Sequence, residues 1–236
     1  MTNSSRSTAV AGFSLIAAAV LFMGVFSYLA SVFGYPDVLD LPAADVLPKL
    51  LALGTAGRAA WFLYALVPLL LVPAAVGTHA ALRDTSPGAA RAAAIFAVLS
   101  GLTMQLGLAR WPTFQWELAR AWATASGPER ETIAAVFAGL NSYLGNFLGE
   151  FVGELTLNLY FVLVAGAMLR TPGFPRWAGF AGYVAGGFGF VAMFRNVPAV
   201  AGAVAPFAGI NNAVLPLWLI ALGVVFVRFR PAPGRN

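Results

Sequence analysis

Long apolar stretches alternate with short polar connections along the whole chain. They lie at residues 9–33, 59–82, 89–108, 149–169, 177–194 and 207–229. Each is close to the ~20 residues that an α-helix needs to cross the hydrocarbon core of a bilayer. The pattern therefore predicts an all-α, polytopic membrane protein with six transmembrane helices, built as a single integral membrane domain over residues 1–236.

Two of the connections, residues 35–57 and 110–146, are long and carry helix signals of their own. In the first, residues 45–51 predict a short helix lying on the membrane surface. In the second, Trp111-Pro112 predicts the start of a helix, because proline is accepted in a first helical turn. We therefore expect the two connections to form a mostly helical extracytoplasmic cap.

The second long connection leads directly into the fourth apolar stretch. Ser126 followed three residues later by Glu129 predicts a helix cap at this point. A helix from Pro128 through Leu169 would be about 60 Å long at a rise of 1.5 Å per residue. The hydrocarbon core is only about 30 Å thick. We therefore expect this helix to project beyond the membrane or to bend near residues 139–145.

Composition supports a membrane protein and excludes several kinds of site. The chain is 60% hydrophobic and 10% charged, whereas soluble domains carry about 25% charged residues. The net charge of +5 does not predict nucleic-acid binding, because the basic residues sit at the ends of the apolar stretches. Cysteine is absent and His79 is the only histidine. We therefore predict no metal site, and nothing in the sequence identifies a cofactor.

The distribution of basic residues predicts the orientation in the membrane. With six spans both termini lie on one side, which carries a single acid, Asp84. The basic residues of that side are Arg6, Arg83, Arg91, Arg170, Arg176, Arg228, Arg230 and Arg235. The opposite side carries six basic and eight acidic residues on longer connections. We therefore expect both termini in the cytoplasm and the cap outside.

The fourth apolar stretch begins with a regular series of polar residues. Asn146, Glu150, Glu154 and Asn158 recur every four residues, so a helix places them on one face. Carboxylates inside a membrane span are costly, and by default they indicate a functional site. These four residues are therefore candidates for binding a ligand or an ion.

A second stripe without side chains runs beside the polar one. It consists of Gly145, Gly149 and Gly153. Small residues at this spacing are typical of places where two membrane helices approach closely. We favour helix packing here over contact between the backbone and a ligand.

Other polar residues are expected at the same depth, in the outer half of the membrane. These further site candidates are Arg110, Gln105, Arg195, Asn211 and Asn212. The inner half is expected to be almost purely apolar. We predict that Glu154 is buried, and that it is either protonated or paired with Arg110 or Arg195, because a lone carboxylate would be costly at this depth.

The sequence leaves three interpretations of this polar cluster open. Glu150 and Glu154 can lock helices together as ordinary ion pairs with an arginine. They can instead form a site that accepts a ligand, an ion or a proton from the outer side. Glu150 can also lie among lipid headgroups without a role.

The same alternatives apply to the function of the protein. The leading hypothesis is an outward-facing site that binds or passes a small polar or cationic species. The second is a non-catalytic membrane sensor or assembly partner whose polar cluster only fixes helix packing. An intramembrane enzyme is less favoured, because the chain has no G-x-S-x-G, HExxH or P-loop pattern, and no catalytic residue is assigned. The lipid bilayer is the one partner predicted, and no protein partner is indicated.

Three short motifs carry a resemblance to a known family. They are GLARWP at residues 107–112, LGEFVG at residues 148–153 and PRWAGFAG at residues 175–182. With them, the chain resembles a bacterial family of six-helix integral membrane proteins that is known only as a domain of unknown function. The resemblance implies the six-span layout, and for a bacterial protein that layout predicts the inner membrane. It implies no activity and no residue role.

Overall fold

A computed structural model describes residues 3–230 of the chain. Six helices in this range are long and apolar enough to cross a membrane, which confirms the predicted all-α architecture. The helices are α1 Asn3–Phe33, α2 Ala43–Ala52, α3 Gly54–Leu82, α4 Pro87–Thr124, α5 Gly127–Arg170, α6 Arg176–Asn196 and α7 Ala201–Arg228. Arg235, which contributed to the predicted orientation, lies outside the described residues.

The six long helices form a closed ring in chain order. Each packs against the next long helix, and α7 returns to pack against α1. Glycines allow the last contact, because a Cβ added at Gly223 would lie 2.6 Å from the Gly12 carbonyl oxygen. Antiparallel packing of helices that are consecutive along the chain gives this arrangement directly.

Two apolar cores fill the bundle, one above the other. The core nearer the two termini includes Leu15, Leu71, Phe161 and Trp218. The second core includes Leu29, Leu47, Trp61, Trp111 and Phe137. We call the end of the bundle that holds the second core the cap end and the opposite one the termini end.

The cap is helical, as predicted, and is anchored to the bundle by an arginine. The short helix expected at residues 45–51 is α2, which packs against the last turns of α4 and the start of α5. Arg58 of α3 donates from Nε to the Pro112 carbonyl at 3.0 Å and pairs with Glu117 at 3.3 Å. Its guanidinium also lies over the Trp116 ring, 5.1 Å from the centroid.

The prediction that a separate helix starts at Trp111-Pro112 is wrong. The backbone stays helical at Arg110, and α4 passes through a π-helical turn at Trp111–Gln115. In that turn the Gln115 N–H donates to the Arg110 carbonyl, five residues back, at 2.8 Å. Proline has no N–H to donate, and the wider π turn takes Pro112 into the helix without ending it.

The helix that was predicted to be longer than the membrane is thick is α5, which contains 44 residues. It begins directly after Ser126, whose backbone N–H donates to the Glu129 carboxylate at 3.0 Å, as the capping pattern predicted. Its first part, Gly127–Leu140, packs in the cap. The stretch Asn141–Val152 then widens into a π-helix before the α-helix resumes. The π-helical stretch begins within residues 139–145, where a bend was expected.

The half of the bundle nearer the termini is less uniformly apolar than expected. The Thr78 and Tyr160 hydroxyls hydrogen-bond at 3.0 Å, and both residues are fully buried. Thr85 and Thr171 also bond through their hydroxyls. The first pair joins α3 to α5, and the second joins the connections that follow these two helices. These polar groups are therefore satisfied without a charge.

Candidate functional site

The two carboxylates of α5 share one guanidinium from α6. Arg195 Nη1 donates to Glu154 Oε2 at 2.7 Å, and Nη2 donates to the other oxygen of the same carboxylate. Nη2 also donates to Glu150 Oε2 at 3.0 Å. The contact with Glu154 is bidentate, which is the strongest geometry for an arginine and a carboxylate. This group, Glu150, Glu154 and Arg195, is the acidic clamp.

Burial within the acidic clamp is uneven. The Glu154 side chain is 14% exposed, whereas Glu150 and Arg195 are 28% and 31% exposed. Glu154 is therefore the more enclosed carboxylate, as expected, and its partner is Arg195 rather than Arg110. The clamp fastens α5 to the end of α6.

Arg110 is buried without any carboxylate partner among the described residues. It is 5% exposed, and its Nε donates to Asn141 Oδ1 at 3.0 Å. Nη1 donates to the Gly107 carbonyl, and the guanidinium lies over the Trp111 ring at 5.1 Å. Buried charges are normally paired, so a guanidinium held only by neutral groups is unusual.

Asn141 is the residue on which this network converges. Its Oδ1 also accepts a hydrogen bond from Gln115 Nε2 at 2.9 Å. Gln115 is fully buried, and its own carbonyl oxygen and the indole N–H of Trp111 have no partner among the described residues. Buried polar groups without partners are rare in proteins. The hydrogen-bond network that Asn141, Gln115 and Trp111 form around Arg110 is therefore incomplete within the described residues.

A pocket of about 320 Å³ adjoins this network at the cap end. Three polar residues of one stretch of α5 line it, namely Asn141, Ser142 and Asn146. Its remaining walls are apolar and come from the first connection and the start of α5: Leu39, Leu41, Pro42, Ala43, Ala134, Phe137 and Ala138. We call this cavity the cap pocket.

The π-helical winding of α5 explains why these polar residues share one cavity. A π-helix joins residue i to residue i+5, and Asn141 and Asn146 are five residues apart. In a regular α-helix the same spacing turns the two side chains away from each other. Single π turns inside α-helices are frequent at functional sites, and here twelve residues adopt this winding.

The glycine stripe beside the polar residues packs on α4, as predicted. A Cβ added at Gly149 would lie 2.9 Å from the Gly107 Cα. One added at Gly145 would lie 2.5 Å from Arg110 Nη2, and one at Gly153 would lie 2.7 Å from Met104 Cγ. The bare backbone of α5 thus makes room for α4 and for the Arg110 side chain.

The polar residues expected on one face are divided among different environments. Glu150 and Glu154 belong to the acidic clamp, whereas Asn146 is exposed and lines the cap pocket. Asn158 is 3% exposed and lies against Gly189 of α6, where an added Cβ would overlap its side chain.

Three further candidates stand apart from these groups. Gln105 is half-buried, Asn211 is buried and Asn212 is exposed. Their side chains form no hydrogen bond within the described part of the chain. Their role in a site stays a prediction.

Sequence reasoning did not identify Asn141 and Gln115 as site residues. A search for i, i+4 spacing starts at Asn146 and skips Asn141, which is five residues earlier. Gln115 lies in the connection that was expected to belong to the cap, four residues after Trp111. A search for polar residues flanking the Trp111-Pro112 dipeptide would have found Gln115.

An aromatic group borders the Arg110 network on the side of the first connection. The Trp61 and Trp111 rings stack at 4.9 Å, and the Tyr35 ring meets Trp61 edge-on at 5.6 Å. Removal from water raises the pKa of Tyr35 to about 12, and the negative charge of Glu150 adds to the shift. Tyr35 is therefore a neutral phenol at physiological pH and adds no charge to this region.

A ring of six membrane-length helices with a helical cap defines a multi-pass helical membrane protein. The chain belongs to the family described as Domain of unknown function (DUF4386), whose family model matches residues 10–223. This confirms the resemblance predicted from the three motifs. Comparisons with curated proteins and with solved structures gave no match.

Proposed function

We propose that this protein binds a small polar molecule in the cap pocket and receives it from the extracytoplasmic side of a bacterial inner membrane. The observation that carries the proposal is the pocket itself, with Asn141, Ser142 and Asn146 on otherwise apolar walls. Small-molecule sites are concave, mostly apolar and fitted with a few convergent polar groups. The volume of about 320 Å³ lies at the lower end of the range of about 300–1,000 Å³ for such sites.

The side of entry follows from the arginine distribution. Short connections rich in Lys and Arg stay in the cytoplasm, and these connections lie at the termini end. The cap pocket, at the opposite end, would then open to the outside. The protein would sample the extracytoplasmic space rather than the cytoplasm.

In this proposal the acidic clamp holds the helices rather than the ligand. Glu150 and Glu154 are both engaged by Arg195. Neither of them lines the cap pocket or the apolar pocket between α2 and the end of α4. This observation also favours the second candidate function, a sensor or assembly partner, in which ligand binding in the cap would be passed to another membrane protein.

A pair of tryptophan substitutions tests the proposal. Ala138 lines the pocket, and Ala135 is exposed one turn earlier on the same helix without lining it. The probes are butanamide, butanoate and n-butylammonium, measured by saturation-transfer NMR on the protein in nanodiscs of zwitterionic lipid, with empty nanodiscs subtracted. We expect Ala138→Trp to weaken binding by at least about tenfold, a loss of about 1.4 kcal/mol, because the indole fills the cavity. Ala135→Trp should bind like the wild type.

The outcomes decide the proposal without knowledge of the natural ligand. If no probe binds the wild-type protein, or if both tryptophan variants bind equally well, the cap pocket is not a small-molecule site.

A further inference from the structure

The charge of Arg110 is left without a local counterion. Its described hydrogen-bond partners are the Asn141 amide oxygen and the Gly107 carbonyl. Glu150 acts on it electrostatically, but that carboxylate is bound to Arg195. The Arg110 guanidinium therefore keeps a positive charge that no side chain described by the structure neutralises by contact.

The orientation of the Asn141 amide is fixed by this guanidinium. Oxygen and nitrogen of an amide are told apart by their hydrogen-bond partners, and arginine has donors only. The atom that receives Arg110 Nε must therefore be the oxygen. The amide NH₂ of Asn141 is then the free end, since it has no partner among the side chains that the structure describes and Asn141 lines the cap pocket.

Two donors bonded to one carbonyl oxygen polarise the amide. Hydrogen bonds in chains strengthen one another in a low-dielectric interior, and here one of the two donors is a cation. The N–H groups that Asn141 presents are consequently better donors than those of an isolated amide. The other lining residues whose side chains the structure describes are uncharged.

We propose that Asn141 transmits the positive charge of Arg110 to the cap pocket, so that the pocket selects a small ligand with a carboxylate on a short apolar body. The carboxylate would accept from the Asn141 amide, and Leu39, Pro42 and Phe137 would surround the apolar part. The inference rests on the proposed function and specifies its ligand class. It replaces the small polar or cationic species that the sequence favoured with an anionic one.

The three probes test this selectivity, because each contains four carbon atoms and they differ in the charge and the hydrogen-bond donors of the head group. At neutral pH we expect butanoate to bind the wild-type protein about tenfold more tightly than butanamide, a difference typical of adding charge to a hydrogen bond. n-Butylammonium should bind most weakly, since it has donors only. If butanamide or n-butylammonium binds as tightly as butanoate, the anion inference is wrong while the proposed binding site stands.

Asn141→Asp tests whether Asn141 is the residue that gives the pocket its preference for an anion. The substituted side chain keeps the acceptor for Arg110 and Gln115, so the packing is retained, but it neutralises the guanidinium and removes the free N–H donors. We expect the preference for butanoate over butanamide to disappear. The control is Ala135→Asp, which adds the same negative charge at an exposed position of the same helix that does not line the pocket and should preserve the order of the three probes. An unchanged preference in Asn141→Asp would overturn the assignment, even if the wild-type order is as expected.

The anionic group could also belong to a lipid headgroup, and nanodiscs that contain phosphatidylglycerol separate the two sources. If anionic lipid displaces butanoate from the wild-type protein but not from Asn141→Asp, the anion site accepts a headgroup. If butanoate binding is the same in both lipid mixtures, the ligand is a soluble carboxylate. Absence of binding by every probe, in both mixtures, would instead reject the proposed function.

Discussion

At the scale of single residues, two arginines at the cap end differ in the charge of their hydrogen-bond partners. Arg195 holds two carboxylates, whereas Arg110 holds an amide oxygen and a backbone carbonyl. Arg195 therefore neutralises Glu154, while Arg110 contacts no carboxylate among the described side chains. The distinction matters because a buried ion pair and a buried single charge respond differently to substitution.

Glu154→Gln tests the acidic clamp. It removes the bidentate partner of Arg195 and leaves only the contact with Glu150, so we expect unfolding to become easier by about 1–3 kcal/mol. In an Arg195→Gln background the Glu154→Gln substitution should cost less, because the partner of Glu154 is already removed. Thermal unfolding in detergent or nanodiscs measures both effects.

The matched control for this cycle is Glu150→Gln, which removes a more exposed carboxylate with one contact and should cost less. A Glu154→Gln protein of wild-type stability that no longer binds the probes would contradict the structural role of the acidic clamp. It would return the carboxylates to the role of a ligand or proton site.

At the scale of elements, the contact between α4 and α5 depends on facing glycines. Gly107 and Gly149 bring the two backbones together, and a Cβ at either position would lie under 3 Å from the α-carbon opposite. This close approach of the two backbones places the Arg110 side chain of α4 within hydrogen-bond distance of Asn141 of α5. The geometry of the Arg110 network is therefore set by the helix contact.

Two alanine substitutions on α5 test this contact. Gly149→Ala should destabilise the protein by about 1–3 kcal/mol, because overpacking at a backbone contact forces the helices apart. Gly139 is the control, since a Cβ there meets nothing within 4 Å. Gly139→Ala should be neutral or stabilising by up to about 1 kcal/mol, since alanine favours a helix over glycine. Equal melting temperatures for the two variants would show that the α4–α5 contact is not tightly packed.

At the scale of the whole molecule, the orientation decides which compartment the cap pocket meets. The chain has no cysteine, so single-cysteine variants report accessibility without background. Ser126 in the cap and Asp84 at the termini end are both exposed. In intact cells we expect a membrane-impermeant maleimide to label Ser126→Cys and not Asp84→Cys, with both labelled after lysis. Labelling of Asp84→Cys alone in intact cells would reverse the orientation and the proposed side of entry.

The sequence alone determined the number of membrane helices and most of the cap. Runs of about 20 apolar residues leave few alternatives to a spanning helix, because lipid cannot hydrogen-bond the backbone. Local sequence signals also predicted helix α2 and the capping of the start of α5 by Ser126. The requirement of Glu154 for a partner also followed from sequence, since an isolated carboxylate at that depth is costly.

Only the tertiary structure decided which residues meet. Both Arg110 and Arg195 flank α5, and the choice between them depends on how α5 is rotated against α4 and α6. The π-helical stretch changes that rotation at Asn141–Val152, and its winding is not apparent from an i, i+4 pattern. The cap pocket forms between Leu39 and Asn141, residues far apart in the chain. A cavity of this kind depends on packing between distant segments, which periodicity along the chain does not encode.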